Sequence, residues 1–219
     1  MTICGIADIH GEIALIERAF KAIGHMDLVL LMGDITHFGH AEDAKPLIKA
    51  TRKISSQILA VVGNCDYHDV EGYLDQEGIG IHAKGIVING IGFVGAGTSL
   101  PCLGKTPNES CENDFRRFLQ GGISSLPPGV PSVFVTHQPP FNTSVDLAGA
   151  GTHVGSSAIR DFIDKEQPLA CFCGHIHDAP GIDTIGNSKI VNPGPLRKGK
   201  IAFAEIVGTS LTKLELRSV

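Results

Sequence analysis

The chain contains 219 residues, 42% of them hydrophobic and 19% charged, and its formal net charge at pH 7 is -5 when histidine is neutral. A chain of this length and apolar content can bury a substantial core, and we expect residues 1–219 to form a single domain. Its lysines and arginines are scattered along an acidic sequence apart from Arg197, Lys198 and Lys200, which argues against a surface for extended nucleic acids.

Strand and helix patterns alternate along the first half of the chain. Nearly continuous apolar runs predict strands buried on both faces, and apolar residues at helical spacing predict helices between them. From residue 189 onward the pattern is strand after strand. This mixture predicts an α/β (α+β) fold with stacked sheets and helices outside them. In chain order, the predicted elements are strand 3–7, helix 12–23, strand 28–32, helix 41–55, strand 58–62, strand 86–94, helix 109–119, strand 133–136, helix 156–164, strand 169–173, and strands 189–191, 201–207 and 211–216.

Side chains able to bind metal recur just after five of the predicted strands. In open sheets flanked by helices, ligands bind beyond the carboxyl ends of the strands, so we expect these side chains to meet at one rim. They are Asp8 and His10 after the first strand, Asp34 after the second, Asn64 after the third, His137 after strand 133–136, and His175 and His177 after strand 169–173.

Each of these residues alone has an ordinary structural explanation. An aspartate after a strand, such as Asp34, is usually a turn former or a helix cap, and Asn64 beside a glycine is typical of a turn. A lone histidine such as His137 is more often packed or exposed than a ligand. His175 and His177 are a stronger signal, because alternate residues of an extended chain project to the same side. Taken together, the five strand ends favour a metal site, since neutral imidazole is the commonest protein metal ligand.

Five short motifs follow one another in the order D-I-H, G-D-I, G-N-C-D, T-H-Q-P-P and G-H-I-H. This series resembles the signature of the calcineurin-like metallophosphoesterase superfamily, and it extends from Asp8 to the N-P-G-P that ends at Pro195. The short form without a capping domain is similar to the small phosphodiesterase group of that superfamily. The resemblance implies a four-layer β-sandwich of two mixed sheets flanked by helices.

The resemblance also implies a dinuclear metal centre. By motif position, Asp8, His10 and His177 would hold one ion, Asn64, His137 and His175 the other, and Asp34 would bridge them. Two divalent transition-metal ions are implied, with manganese the first expectation and iron, nickel, cobalt or zinc also compatible with mixed nitrogen and oxygen ligands. They would polarise a phosphate ester and generate a bridging hydroxide that attacks phosphorus. Asp34, Asn64 and His175 are expected to be catalytic residues as well as ligands.

Two departures from the family's phosphatases bear on the substrate. Many members carry a histidine third in the G-N-x-D motif, where it can protonate the leaving group, whereas this chain has Cys65. Protein phosphatases follow the second motif with an arginine that binds phosphate, and residues 34–40 contain none. These differences favour phosphate diesters over phosphoproteins as substrates. The lack of a recognisable capping domain or basic groove favours small, nucleotide-like ones.

His37 and His153 are predicted to contact the substrate. His37 lies three residues after Asp34. His153 lies in a glycine turn before a helix that opens at Ser156, and the free N–H groups of a helix start suit phosphate oxygens. The alternative for His153 is an ordinary turn histidine beside a serine cap.

Two other functions compete with a phosphodiesterase. One is a phosphomonoesterase such as a protein phosphatase, and the other is a non-catalytic scaffold like the retromer-type relative of the small group. A complete set of ligand types favours the enzyme over the scaffold. The expected partner is a small phosphate-ester substrate, and a helix-rich surface is compatible with a homo-oligomer.

The start of the chain lacks the basic region and long apolar segment of a secretory signal. No run approaches the roughly 20 apolar residues of a membrane span. A cytoplasmic location is therefore expected.

Overall fold

The computed structural model describes residues 1–149 and 151–219. Strands and helices alternate through most of the chain, and the last strands follow one another directly. In chain order the elements are β1 Thr2–Ile6, α1 Ile13–Ile23, β2 Leu28–Met32, α2 Ala41–Thr51, β3 Ile58–Val61, α3 His68–Gln76, β4 Gly85–Ile88, β5 Ile91–Ala96, α4 Glu112–Ser124, β6 Ser132–Thr136, β7 Leu147–Ala148, β8 Thr152–His153, α5 Ser157–Glu166, β9 Ala170–Phe172, β10 Gly181–Ile185, β11 Ser188–Asn192, a 3₁₀ turn Leu196–Lys198, β12 Lys200–Val207 and β13 Ser210–Ser218.

Two large mixed sheets account for most of these strands. The first has the order β13-β12-β1-β2-β3, and the second has the order β10-β11-β9-β6-β5-β4. Strands β1, β2 and β3 are parallel, as are β5, β6, β9 and β11. The carboxyl ends of parallel neighbours lie at the same edge of a sheet, so each sheet delivers several strand ends to one rim.

The apolar residues divide into three buried layers, which shows how the sheets and helices stack. Side chains from both sheets, such as Met32 and Phe172, pack together in the middle layer. The outer face of the first sheet packs on helices α1 to α3 through residues such as Ile16 and Leu47. The outer face of the second sheet packs on α4 and α5. The predicted four-layer sandwich of two mixed sheets flanked by helices is confirmed.

Several local features differ from the sequence-based elements, among them the two-residue strands β7 and β8, which were not predicted. The strand predicted over 86–94 is a hairpin, because Asn89 and Gly90 take positive φ angles of 51° and 79°, as a tight two-residue turn requires. Helix α3 and strand β10 were not predicted. In α3 only Val70 and Leu74 are buried, so the apolar stripe is too sparse to read.

None of the helices in the described part of the chain combines the length and the apolar character needed to cross a bilayer.

Candidate metal centre

The loops that follow the central strands are joined to one another by backbone hydrogen bonds. After β1 and β2, the N–H groups of Asp8 and His10 donate to the carbonyl oxygens of Gly33 and Asp34, at 3.2 and 2.9 Å. In the second sheet, the Gly174 N–H donates to the His137 carbonyl oxygen at 3.0 Å. These bonds hold the predicted ligands at fixed positions along one rim of the sandwich.

Backbone strain is concentrated in the same loops. Asp8, His10, Asp34 and His175 have φ angles of 52°, 50°, 49° and 67°, in the left-handed region that side chains with a Cβ rarely adopt. Such residues cost of order 1–3 kcal/mol each and persist where the surrounding structure fixes them. Four of the seven predicted ligands therefore lie on strained backbone, which is typical of functional sites.

The first group of predicted ligands points its donor atoms at one place. The Nε2 atoms of His10 and His177 lie 3.3 Å apart, and the His177 Nε2 lies 3.3 Å from Oδ1 of Asp8. Ligands bound about 2.0–2.2 Å from one divalent ion lie about 3 Å from each other. The spacing of these three side chains thus fits a shared cation.

The second group is arranged around the buried ring of His137. Its Nδ1 lies 2.7 Å from the Met32 carbonyl oxygen, which only accepts, so Nδ1 carries the proton. In the neutral ring Nε2 then has no proton and can only accept a hydrogen bond. It nevertheless faces the carbonyl Oδ1 of Asn64, also an acceptor, at 2.9 Å. Two acceptors at this distance call for a proton or a cation between them. The donor set therefore fits a metal ion here as well.

Asp34 lies between the two groups and turns one oxygen to each. Its Oδ2 lies 3.7 Å from Nε2 of His10, and its Oδ1 lies 3.5 Å from Nε2 of His137. The Asp34 side chain is buried, and burial together with the nearby carboxylate of Asp8 raises its pKa. One oxygen of Asp8 and one of Asp34 lie within 4.8 Å of each other. Two buried carboxylates at this separation repel each other, and a cation near both would relieve that repulsion.

The imidazoles of His10 and His175 are held in the neutral form that binds metal. Burial lowers the pKa of His10 to about 4 and that of His175 to about 3. The His175 ring lies 5.0 Å from the His137 ring, centroid to centroid, and its backbone N–H donates to the Asp8 carboxylate. The Nδ1 atom of His10 is buried and has no hydrogen-bond partner among residues 1–149 and 151–219.

Glycine is required on the inner side of the loops. A Cβ on Gly33, whose φ is 81°, would come within 2.6 Å of the His137 ring. A Cβ on Gly63 would overlap the Asp34 carboxylate. Gly33 therefore allows the loops of the two sheets to approach closely, and Gly63 does the same for the neighbouring loops after β2 and β3.

Asp66 is buried but does not face the cluster; it fixes the loops that carry the ligands. Its carboxylate accepts from the N–H groups of Ile35, Thr36 and Gly63 and from the Thr36 hydroxyl, at 2.7–3.2 Å. Burial and Asp34 raise its pKa to about 6. Asp66 thus ties the loop after β2 to the loop after β3.

Cys65 lies beside Asp34, and its backbone N–H donates to Oδ1 of Asp34 at 2.8 Å. One His10 nitrogen, one Asp34 oxygen and the Cys65 sulfur lie within 4.8 Å of one another. Burial, reinforced by Asp34, raises the pKa of the thiol far above its usual range. The group keeps its proton and is a poor acid for a leaving group.

The two predicted substrate contacts lie in different settings. His37 is exposed, and its ring is 5.4 Å from the His10 ring, at the edge of the cluster. The Nδ1 of His153 bonds to the buried carboxylate of Asp146 at 2.7 Å. Asp146 also accepts from the N–H groups of Thr143 and Gly155, so the carboxylate holds His153 to its loop.

The prediction of an anion site at the start of α5, the helix after His153, is wrong. The N–H groups of Ser157 and Ala158 donate to the carboxylate of Glu112, at 2.9 and 3.0 Å. The Ile159 N–H donates to the Ser156 hydroxyl. The protein's own glutamate thus occupies the place that a phosphate would take.

Two polar residues at the rim were missed in the sequence. Thr98 and Asn108 lie in the loop after β5, and the Asn108 N–H donates to the carbonyl oxygen of Asn64 at 3.2 Å. Within the described residues, the buried Thr98 Oγ1 and Asn108 Nδ2 have no hydrogen-bond partner. Asn108 is twelve residues past the end of β5, too far along the chain to be predicted from its position after a strand.

A sandwich of two mixed sheets with carboxylate, imidazole and amide groups converging at its rim defines a class of metal-dependent hydrolases. A sequence model of the family described as calcineurin-like phosphoesterase matches residues 1–179, and the chain belongs to this family. Membership supports a hydrolase that acts on phosphate esters and uses divalent metal ions.

The chain is also similar to individual proteins, in sequence or in fold. The chain is 37% identical to an uncharacterized protein of Methanocaldococcus jannaschii over 202 residues, which cover 89% of this chain and 88% of the relative. Among solved structures, TT1561 of Thermus thermophilus is similar with a TM-score of 0.74, 16% identity, and coverage of 99% of this chain and 98% of that one. A dimetal phosphatase of Danio rerio is similar with a TM-score of 0.62, 12% identity, and coverage of 100% and 95%. At these identities the structural likeness shows the fold alone.

Proposed function

We propose that this protein hydrolyses phosphate diesters of small, nucleotide-like substrates at a dinuclear metal centre. The proposed ligands are Asp8, His10 and His177 for one ion and Asn64, His137 and His175 for the other, with Asp34 shared between them. His37 and His153 are the proposed substrate contacts. One domain over residues 1–219 would carry the whole activity.

The observation that carries this proposal is the position of Asp34. Its two oxygens lie 3.7 Å from His10 Nε2 and 3.5 Å from His137 Nε2, so each oxygen faces one group of nitrogen ligands. A carboxylate turned this way is suited to two cations about 3.5–4 Å apart, the separation of two-metal hydrolytic sites. A single ion would leave one of the groups without a cation.

The chain's own residues supply orientation and charge balance. The Met32 carbonyl fixes the tautomer of His137, and the fixed Nε2 then faces the site. The Asp66 carboxylate holds the loops of Asp34 and Asn64 in register. When bound, the two divalent ions supply the positive charge that polarises a phosphate and lowers the pKa of water.

The preference for diesters is supported by the absence of a good proton donor at the third position of G-N-C-D. The Cys65 thiol is buried beside Asp34 and holds its proton tightly, because burial raises its pKa. Substrates whose leaving group departs without strong protonation are favoured in such a site. Residues 34–40 also supply no arginine to grip the dianion of a phosphate monoester.

The test is hydrolysis of bis(p-nitrophenyl) phosphate and of p-nitrophenyl phosphate by protein loaded with manganese, with iron, nickel, cobalt and zinc as parallel samples. The proposal predicts metal-dependent turnover, with the diester cleaved faster. Faster cleavage of the monoester would favour a phosphomonoesterase. Turnover at the level of buffer with every metal would favour a scaffold.

A further inference from the structure

A cleft opens beside the candidate metal centre, between the loop after β2 and the first turns of α1 and α2. Its volume is about 480 Å³, which lies within the range of about 300–1,000 Å³ that is usual for small-molecule sites. Ile13, His37, Phe38, Glu42 and Pro46 are among the residues that line it. The seven proposed metal ligands are not among the residues that line it.

A series of aromatic rings connects the cleft to the metal ligands. The His10 ring lies 5.2 Å from the His177 ring and 5.4 Å from the His37 ring. The His37 ring lies 5.0 Å from the Phe38 ring. Gly11, the residue after His10, also lines the cleft. A molecule with its phosphate at the ligands can therefore extend past His37 into the cleft.

Phe38 is held in an unfavourable backbone conformation that leaves its ring in the open. Its φ is 53°, which is an outlier for a bulky residue, and 48% of its surface is exposed. The turn is fixed by hydrogen bonds between Thr36 and Gly39 and by the Tyr67 N–H, which donates to the Gly39 carbonyl. Strain that the surrounding structure enforces on an exposed aromatic side chain points to a role in binding.

The walls of the cleft select the kind of group that fits. Ile13 is 37% exposed and presents an apolar surface to the cleft that Phe38 also lines. Glu42 and Asp43 also line the cleft. The Glu42 carboxylate pairs with Lys45, and Oδ2 of Asp43 accepts from a backbone N–H at the start of α2 at 2.8 Å. Each carboxylate keeps lone pairs that can accept hydrogen bonds from the polar edge of an aromatic heterocycle. A flat ring with polar edges satisfies both parts of the cleft.

We propose that this cleft binds the nucleobase of a phosphodiester substrate, which stacks on Phe38 while the phosphate lies at the metal ligands. This inference rests on the proposed function, because it places the rest of the same substrate. Phe38 is then a residue that determines which substrates the protein prefers. Aromatic side chains are the usual stacking surfaces for single bases in proteins.

A pair of esters with the same leaving group tests the assignment. Manganese-loaded protein is assayed with thymidine 5′-(p-nitrophenyl) phosphate and with methyl p-nitrophenyl phosphate, and the ratio of their kcat/KM values is the readout. Loss of base stacking in Phe38→Ala lowers this ratio roughly ten-fold, mainly through the KM of the thymidine ester. Phe38→Trp retains the ratio. Ile182→Ala, a change at an exposed apolar residue of β10 that is 39% exposed in the protein, leaves it unaltered.

A third ester and a binding experiment separate the alternatives. If Phe38→Ala lowers kcat/KM for phenyl p-nitrophenyl phosphate but not for the thymidine ester, the cleft takes aryl groups and the nucleobase assignment is overturned. An unchanged ratio in Phe38→Ala also overturns it. Equilibrium dialysis measures the affinity of the protein for adenosine 5′-monophosphate and for ribose 5-phosphate without turnover. Phe38→Ala weakens the binding of adenosine 5′-monophosphate roughly ten-fold and leaves that of ribose 5-phosphate unchanged. Absence of hydrolysis by the parent protein would refute the proposed function, while dialysis would still decide whether the cleft holds a base.

Discussion

Gly63 and Asp34 are packed so closely that a methyl group added to Gly63 would overlap both the carboxylate and the backbone nitrogen of Asp34. The loop after β3 can therefore reach the loop after β2 only if this position has no side chain. The proposed bridging ligand owes its position to a neighbour that has no side chain.

Gly63→Ala is expected to displace Asp34 and to destabilise the protein by about 2–4 kcal/mol, in the range of severe overpacking. Gly72→Ala is the matched control, because Gly72 lies within α3 and a Cβ there would meet nothing within 4 Å. Alanine favours a helix, so the control gains roughly 0.5–1 kcal/mol. Urea unfolding of both variants measures the difference. Equal stability of the two would show that the contact with Asp34 is easily relieved.

Asp34→Asn is expected to lower turnover of bis(p-nitrophenyl) phosphate by about 100-fold or more and to reduce the bound metal, because an amide cannot neutralise two cations. The metal-free variant should be at least as stable as the metal-free parent, since one of two buried carboxylates is removed. Elemental analysis and thermal unfolding measure both effects. Asp161→Asn, at an exposed ion pair with Arg116, is the control. A fully active Asp34→Asn protein would rule out the bridging role.

Glu112→Ala is expected to lower the free energy of unfolding by about 1–2 kcal/mol, because α5 loses the carboxylate that accepts from Ser157 and Ala158. Glu112→Gln keeps an acceptor and should lose less. Glu42→Ala removes an exposed pair with Lys45 and should change stability by less than about 0.5 kcal/mol. Chemical unfolding compares the three variants, and equal losses for Glu112→Ala and Glu42→Ala would contradict the cap.

His82 should make the protein less stable in mild acid. Its Nδ1 accepts from the Gly97 N–H at 2.9 Å, and burial lowers its pKa below the usual 6.5. The unfolded chain therefore binds a proton first, so stability is complete above pH 6.5 and falls as the pH is lowered towards the folded pKa, by up to about 1.4 kcal/mol per pH unit.

The measurement is the free energy of unfolding between pH 5 and pH 7.5 in the parent and in His82→Asn. Asparagine keeps an oxygen acceptor for Gly97 but does not titrate. The variant should show a shallower dependence on pH, and two parallel curves would exclude His82 as a source of the slope.

The buried strands were predictable because their signal is continuous. Strands such as β2, with every residue buried, read as unbroken apolar runs, and their carboxyl ends indicated the seven proposed ligands. Strand β10 was missed because it lies at the edge of its sheet and alternates partly buried and exposed residues over Gly181–Ile185. Edge strands carry too few apolar residues to stand out from a turn.

The parts of the site that could not be predicted depend on long-range contacts. Asn108 reaches Asn64 because the loop before it is folded back by Glu109, which accepts from Cys102 and from Thr106. The capture of the α5 amide groups by Glu112 joins residues more than forty positions apart. No local sequence pattern predicts such contacts. The contact with Glu112 places a carboxylate where the local sequence had predicted an anion site.

The central place of β1 in its sheet affects how the chain folds during synthesis. β1 pairs with β2 on one side and with β12 on the other, so Thr2 lies opposite Glu205. Until the ribosome has released the last strands, β1 keeps an open edge that can pair with another chain. A product that stops before β12 would expose this edge permanently, and aggregation rather than partial activity is its expected fate.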